Sequence, residues 1–241
     1  MFKYIGMFFR GVYKIIFYYP KLVKYSRNTD KYTIEERYAF VRKLATIVVK
    51  ATRMDLSIEG IERLKNINGT LITPNHQSII DPVILIYLSE KPLIFVSKIE
   101  VGSYPIVGRA LRVIDSHLLD RDNLKESGRI LLKCRDNLLD NKNVVIFPEG
   151  TRSSEGNRPI LELKGGSFKP VMQAKKDILP IVINGSYKVM SKKKYKKDRT
   201  VSVKILPLYK YITYRNKNTV EIAKSVENKM NEVYKKRANC D

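Results

Sequence analysis

Thr70-Leu71-Ile72-Thr73-Pro74-Asn75-His76-Gln77-Ser78-Ile79-Ile80-Asp81-Pro82, with the apolar run that follows to Leu88, decides how this chain folds. The turn pair Asn68-Gly69 opens a short apolar strand over 70–73, and Pro74 ends it, because proline cannot donate to a sheet ladder. Pro82 suits the first turn of a helix, so 82–88 reads as helical. Strand, polar loop and helix in that order form the unit of an α/β protein. His76 then lies on a loop at a strand's end, where such folds commonly carry functional groups.

The alternation continues in both directions. Strands are expected at 56–60, 93–97, 144–147, 178–184 and 201–207, and helices at 34–54, 124–139, 166–174 and 220–237. Thr33 can cap the helix at 34–54, and Glu35 and Glu36 suit its first turn. Pro170 either kinks the 166–174 helix or marks a late start. The fold class is therefore α/β, with a mixed, largely parallel central sheet flanked by helices. Residues 1–54 are expected to form an N-terminal amphipathic helical segment that docks on a membrane, and 55–241 the main domain. The stretch 188–199, which carries Lys192, Lys193, Lys194, Lys196 and Lys197, is expected to be an exposed hairpin or loop, either touching lipid phosphates or simply solvated.

Residues 1–19 read as an amphipathic helix that Pro20 stops. Phe2, Ile5, Phe9, Val12 and Ile16 fall on one face, and Lys3, Arg10 and Lys14 on another. An aromatic, apolar face beside a basic stripe suits a helix lying in a lipid interface; packing on the protein's own core is the alternative. The start resembles a signal peptide, but Arg10 and Lys14 interrupt its apolar run and no small-residue cleavage site follows. No stretch reaches the roughly 20 apolar residues of a membrane-spanning helix.

Charge is the compositional anomaly. The 241 residues carry 46 Lys and Arg against 24 Asp and Glu, a net charge of +22. Such an excess favours polyanionic surroundings: nucleic acid, an anionic membrane face or phosphorylated substrates. A basic nucleic-acid-binding module is the first rival reading, but no binding motif of that kind is visible and the charge is spread along the whole chain. Hydrophobic residues at 44% exclude disorder as the default. Two cysteines, Cys134 and Cys240, and two histidines, His76 and His117, offer no metal-ligand spacing, so no metal site is expected.

A general base of the histidine type must be His76 or His117. Asp81 lies five residues after His76. From the helix start its carboxylate can fold back to the imidazole, fix its tautomer and stabilise its cation, although Asp before Pro is also an ordinary capping pattern. Ser78 as a nucleophile lacks the elbow pattern. The second chemical string is Phe147-Pro148-Glu149-Gly150-Thr151-Arg152-Ser153, after the strand at 144–147. Gly150 permits a tight turn, and Arg152 supplies a planar cation suited to phosphate. Nothing here is a P-loop.

Together these strings resemble the glycerolipid acyltransferase family, which contains the bacterial 1-acylglycerol-3-phosphate acyltransferases. Asn75, His76 and Asp81 match the Asn-His-x4-Asp signature, and 147–153 match the phosphate-contacting one. Lys98, Pro105 and Gly108 precede Asp120-Arg121, similar to the family's substrate-binding block. Ile178-Leu179-Pro180-Ile181-Val182 resembles its fourth block, and Lys164-Gly165-Gly166 its Lys-Gly-Gly step. One departure stands out: Asp115 occupies a place where the family usually has glycine.

The resemblance implies direct transfer of an acyl group from a thioester to the sn-2 hydroxyl of 1-acylglycerol 3-phosphate, giving phosphatidic acid. His76 would act as base and Asp81 as its support. Arg121 is the first choice for the acceptor phosphate and Arg152 the second, with Lys98, Glu149, Gly150, Thr151 and Lys164 completing the substrate site. Glu149 is expected to position the acceptor or an arginine. No cofactor is implied; acyl-CoA or acyl carrier protein is the co-substrate. Glycerol 3-phosphate or another lysolipid is the alternative acceptor, and an inactive membrane-binding relative the remaining rival. The expected location is the cytoplasmic face of the cell membrane, peripheral or monotopic.

Overall fold

The computed structural model describes residues 11, 13–120, 122–153, 160–190 and 199–238. Seven strands form one sheet in the order β1-β7-β6-β2-β5-β3-β4: β1 Asp55–Glu59, β2 Leu71–Pro74, β3 Leu93–Lys98, β4 His117–Leu119, β5 Asn143–Val145, β6 Ile178–Asn184 and β7 Thr200–Ile205. Every neighbouring pair is parallel except β6 and β7. The mixed, largely parallel α/β architecture read from the sequence is thus observed.

The strands of the sheet's centre are buried on both faces, as crossover helices require, and alternate residues go to opposite layers. Ile72, Val145, Leu179, Ile181 and Ile183 pack toward one layer. It contains α1 (Lys14–Arg27), α2 (Ile34–Thr52), the single turn α3 (Glu62–Lys65), α4 (Asp81–Leu88) and α5 (Val107–Val113). Leu71, Val144, Ile178 and Val182 pack toward the other. That layer contains α6 (Leu124–Leu139), α7 (Lys169–Ala174), and, beyond the short α8 (Ser186–Met190), α9 (Tyr211–Tyr214) and α10 (Thr219–Ala238). Because β6, β2, β5, β3 and β4 run the same way, the loops after them emerge at one edge of the sheet.

Thr33 caps α2 as expected, accepting from Glu36 N–H at 3.2 Å. Pro170 lies at the start of α7, after a 3₁₀ turn over Gly165–Phe168, so it marks a late helix start. The expectation that Pro20 stops the first helix is corrected: α1 runs through it to Arg27. Pro20 is on the exposed side of α1, so the Ile16 carbonyl it leaves without an N–H partner sits where solvent can reach it. Residues 1–10 and 12 of the expected amphipathic helix lie outside the described residues. Of the residues read there as apolar or basic, Ile16 is 61% exposed and Lys14 is exposed; Phe17, which was not among them, is 77% exposed. Of the loop expected at 188–199, residues 188–190 belong to α8, and 191–198 lie outside the described residues. The strand β4, three residues long, has no sequence periodicity to reveal it; it pairs with Val96–Lys98 of β3.

Candidate active site

The loop after β2 is fixed before any side chain on it does chemistry. Asn75 is buried. Its amide donates to Ile183 O at 2.9 Å and its oxygen accepts from Ile183 N at 2.7 Å, so one side chain acts as an extra rung beside β6. Gln77 accepts from Gly185 N at 3.0 Å and donates to the Tyr234 hydroxyl of α10 at 3.2 Å. Between them, His76 has both backbone groups held by the loop after β5. Its N–H donates to Glu149 Oε1 at 2.6 Å, and its carbonyl accepts from Ser153 N at 2.9 Å and Ser153 Oγ at 3.3 Å.

Asp81 opens α4, and its carboxylate turns back over the loop instead of forward along the helix. Oδ2 accepts from Gln77 N and Ser78 N, each at 2.7 Å, and stands 2.8 Å from His76 Nδ1. The helix has no side-chain cap, and one carboxylate oxygen serves both loop and imidazole. The bond to Asp81 sets His76 with its proton on Nδ1, leaving Nε2 as the basic nitrogen. Asp81 is fully buried while the His76 side chain is 19% exposed. The Phe147 ring lies on the imidazole at 4.2 Å between centroids, 33° from parallel. This is an imidazole oriented by a buried carboxylate, and its other nitrogen, without a hydrogen-bond partner among the described residues, can take an incoming hydroxyl proton.

Glu149 is buried, with Oε2 accepting from Leu161 N at 3.1 Å. Burial pushes its carboxyl up to about 7; the N–H groups of His76 and Leu161 pull it down, and the Asp81 charge adds a smaller upward push. Its oxygens thus hold two backbone segments together, and among the described residues no arginine pairs with it. Gly150 adopts φ +71, and an added Cβ would come 3.1 Å from Lys164 Cε and Nζ. The flexible lysine tip could move, so the left-handed backbone is what requires glycine. Thr151, Arg152 and Lys164 are exposed around this turn. Lys98, at the end of β3, pairs with Glu100 at 2.6 Å and is likewise exposed. Arg121 lies outside the described residues.

His117 begins β4, and its Nε2 is 2.7 Å from Asn137 Nδ2 of α6. Burial lowers its affinity for a proton, the Lys133 charge lowers it further, and Asp115 opposes both. It is a neutral acceptor for Asn137. The Ser78 hydroxyl accepts from Ile80 N at 3.4 Å.

Sequence reasoning found His76 and Asp81 but not the residues that hold them. Ser153 was quoted only within its motif. Phe147, Gln77, Ile183 and Tyr234 acquire their roles from contacts across up to 157 positions, for which a single sequence offers no signal.

A strand-end histidine backed by a buried carboxylate on a mixed α/β sheet is an arrangement that can activate a hydroxyl. The chain belongs to the acyltransferase family, whose model matches residues 55–184. The 1-acyl-sn-glycerol-3-phosphate acyltransferase of Helicobacter pylori is 33% identical over 123 residues, 51% of this chain and 52% of that protein. A probable 1-acyl-sn-glycerol-3-phosphate acyltransferase of Mycoplasma pneumoniae is 30% identical over 175 residues, 70% of this chain and 64% of that protein. The chain thus matches between about half and two thirds of the length of these curated relatives. The crystal structure of the 1-acyl-sn-glycerophosphate (LPA) acyltransferase PlsC from Thermotoga maritima superposes with a TM-score of 0.75, covering 98% of this chain and 95% of that one. At 22% identity this likeness establishes the fold. The family resemblance read from the motifs is borne out.

Proposed function

We propose that this chain transfers a fatty acyl group from a thioester to the sn-2 hydroxyl of a 1-acylglycerol 3-phosphate, giving phosphatidic acid. The observation that carries the reading is the His76–Asp81 contact of 2.8 Å with the imidazole open on its other side. The substrate assignment draws on the names of the relatives. His76 Nε2 takes the acceptor's hydroxyl proton as that oxygen attacks the thioester carbonyl. Asp81 stabilises the imidazolium. When the tetrahedral intermediate collapses, the C–S bond breaks and the proton passes to the departing thiolate, so no acyl-enzyme is needed.

Arg152, Lys164 and, beyond the described residues, Arg121 are assigned to the acceptor phosphate. A forked guanidinium can bind two phosphate oxygens. Glycine at 150 and the hydroxyl of Thr151 shape the same turn, and Lys98 stands at the end of β3. Acyl-CoA or acyl carrier protein is assigned as donor, since both are acidic thioester carriers that a +22 chain attracts. The working position is the surface of an anionic membrane, at the cytoplasmic face. No described helix is long and apolar enough to cross a membrane, and α1 exposes Ile16 and Phe17, with Tyr13 just before it, which suits contact with lipid.

The test is thioester consumption with a panel of acceptors. Lysophosphatidate should be turned over, and His76→Ala should lower the rate by at least the roughly 10²–10⁴-fold of general-base help with the fold intact by circular dichroism. Equal enzyme-dependent rates would remove His76 from the mechanism. Turnover of glycerol 3-phosphate in place of lysophosphatidate would reassign the acceptor.

A further inference from the structure

A cavity of about 150 Å³ lies between the end of α1 and the segment entering α5, lined by Arg27, Arg109 and Arg112, the hydroxyl residues Ser26, Ser103 and Tyr104, and the backbone at Gly102 and Gly108. That is room for about five water molecules at liquid density, enough for a tetrahedral phosphate. No acidic residue lines it, and among the described residues none of the three arginines is ion-paired with a carboxylate. The larger groove beside β1 differs in this respect, since its Arg42 has Glu90 at 3.8 Å.

The pocket is held in shape. A Cβ at Gly108 would fall 2.1 Å from Gly102 O, so two backbones meet closely there. Arg109 donates to Pro105 O at 2.9 Å and places its guanidinium 5.4 Å over the Tyr19 ring. Ser26 and Ser103 already donate to Val23 O and Glu100 O, so the guanidinium groups are the charged donors facing the space. Three cations that line one space with no carboxylate in its lining repel one another, and an anion between them removes that repulsion.

The rim identifies the source of that anion. Tyr104 at the mouth is 58% exposed, and the next residues of the turn, Ile106 and Val107, are 42% and 46% exposed. An apolar turn beside a phosphate pocket suits a lipid whose headgroup enters the pocket while the turn meets its chains. The pocket is separate from the His76 loop. It shares no lining residue with that loop and adjoins the 3₁₀ segment after β3, two strands from β2.

We propose that Arg27, Arg109 and Arg112 form a second lipid site that takes the phosphomonoester headgroup of a membrane lipid, distinct from the acceptor at His76. Three cations match a dianionic monoester better than a singly charged diester. The proposal rests on the membrane-surface reading above, but its test does not require turnover. The full chain is mixed with vesicles of four parts phosphatidylcholine to one part phosphatidate, and with phosphatidylglycerol vesicles matched in surface potential. The native chain should bind phosphatidate vesicles at least tenfold more tightly. R109Q/R112Q should bring that preference within twofold. R109K/R112K, which keeps the charge but loses the guanidinium fork, should lose most of it.

No native preference, or a preference that survives in R109Q/R112Q, overturns the site. Inorganic phosphate at matched ionic strength should not displace the chain from phosphatidate vesicles; full displacement would make a soluble anion the ligand and overturn the lipid assignment. With lysophosphatidate in detergent micelles, R109Q/R112Q should keep kcat/KM within twofold. A collapse there would make this the acceptor site and overturn a second one. If the native chain turns nothing over, the acyl-transfer reading fails while the vesicle comparison still decides this one.

Discussion

Oδ2 of Asp81 accepts three hydrogen bonds, while the buried Oδ1 has no partner among the described residues. The carboxylate therefore gathers the loop and the imidazole on one oxygen. Asp81→Asn can keep an oxygen there, but it removes the charge that stabilises an imidazolium and buries an amide with no acceptor. The expected outcome is a kcat roughly 10²–10⁴-fold lower and a stability loss of about 1–3 kcal/mol, read by initial rates and urea unfolding. An unchanged kcat would leave Asp81 a loop-holding residue only. Glu149 poses a different question. Its carboxyl is raised to about 7 by burial, so the folded chain keeps that proton where the unfolded chain, near the ordinary 4.5, has lost it. Stability from this group is full below about 4.5 and falls as pH rises to about 7. Relative to Glu149→Gln, which does not titrate, the native chain should lose up to about 3 kcal/mol between those pH values. A pH-independent difference in urea unfolding would contradict the assignment. At this scale the sequence displayed the chemical pair, because His76 and Asp81 are five positions apart. It hid the burial of Glu149, which depends on how two distant loops meet.

Among elements, α5 shows how a departure from family pattern is accommodated. The helix ends with Asp115 N donating to Arg112 O and Ser116 N to Leu111 O, a C-terminal motif that favours glycine at its left-handed residue. Asp115 stands there at φ 54, and its two oxygens take Arg37 of α2 at 2.8 and 2.9 Å. Arg37 is buried, and it also donates to Tyr32 O and Val113 O. The side chain that a glycine would lack thus ties α2 to the end of α5. Asp115→Gly relieves the left-handed strain, about 1 kcal/mol, but leaves a buried guanidinium without its charge partner, so a net loss of about 2 kcal/mol is expected. The double variant with Arg37→Met should be more stable than the sum of single losses by at least about 1 kcal/mol. Strict additivity in urea unfolding would show that the pair is not coupled. Elements with strong patterns were legible: β6 was read over its full length from an apolar run buried on both faces, and α6 from its stripe. The passage of α1 through Pro20 was not, because proline's local rule is overridden when its open side faces outward and the other face packs Ile15, Leu22 and Tyr25.

For the molecule as a whole, a net charge of +22 and the exposed Ile16 and Phe17 of α1 act together. On the membrane-surface reading proposed above, charge would draw the chain toward an anionic surface over a distance set by salt, and the apolar residues would hold it once there. Ile16→Ser with Phe17→Ser should weaken binding to anionic vesicles at least tenfold at moderate salt, measured by flotation, while added salt weakens the native chain and the variant alike. Unchanged flotation would place the anchor elsewhere. The sheet order itself was not readable from one chain, since pairings between β2, β5 and β6 join residues far apart in sequence.

That separation has a consequence for how the protein is made. His76 is held through partners at 149, 153, 183, 185 and 234, directly or through its neighbours on the loop. A nascent chain emerging from the ribosome carries the histidine and its aspartate early, but the braces that set their loop arrive only with later strands and with α10. The loop that carries His76 is therefore fully braced only once synthesis has passed Tyr234, and the activity proposed for it would be absent from a half-made chain.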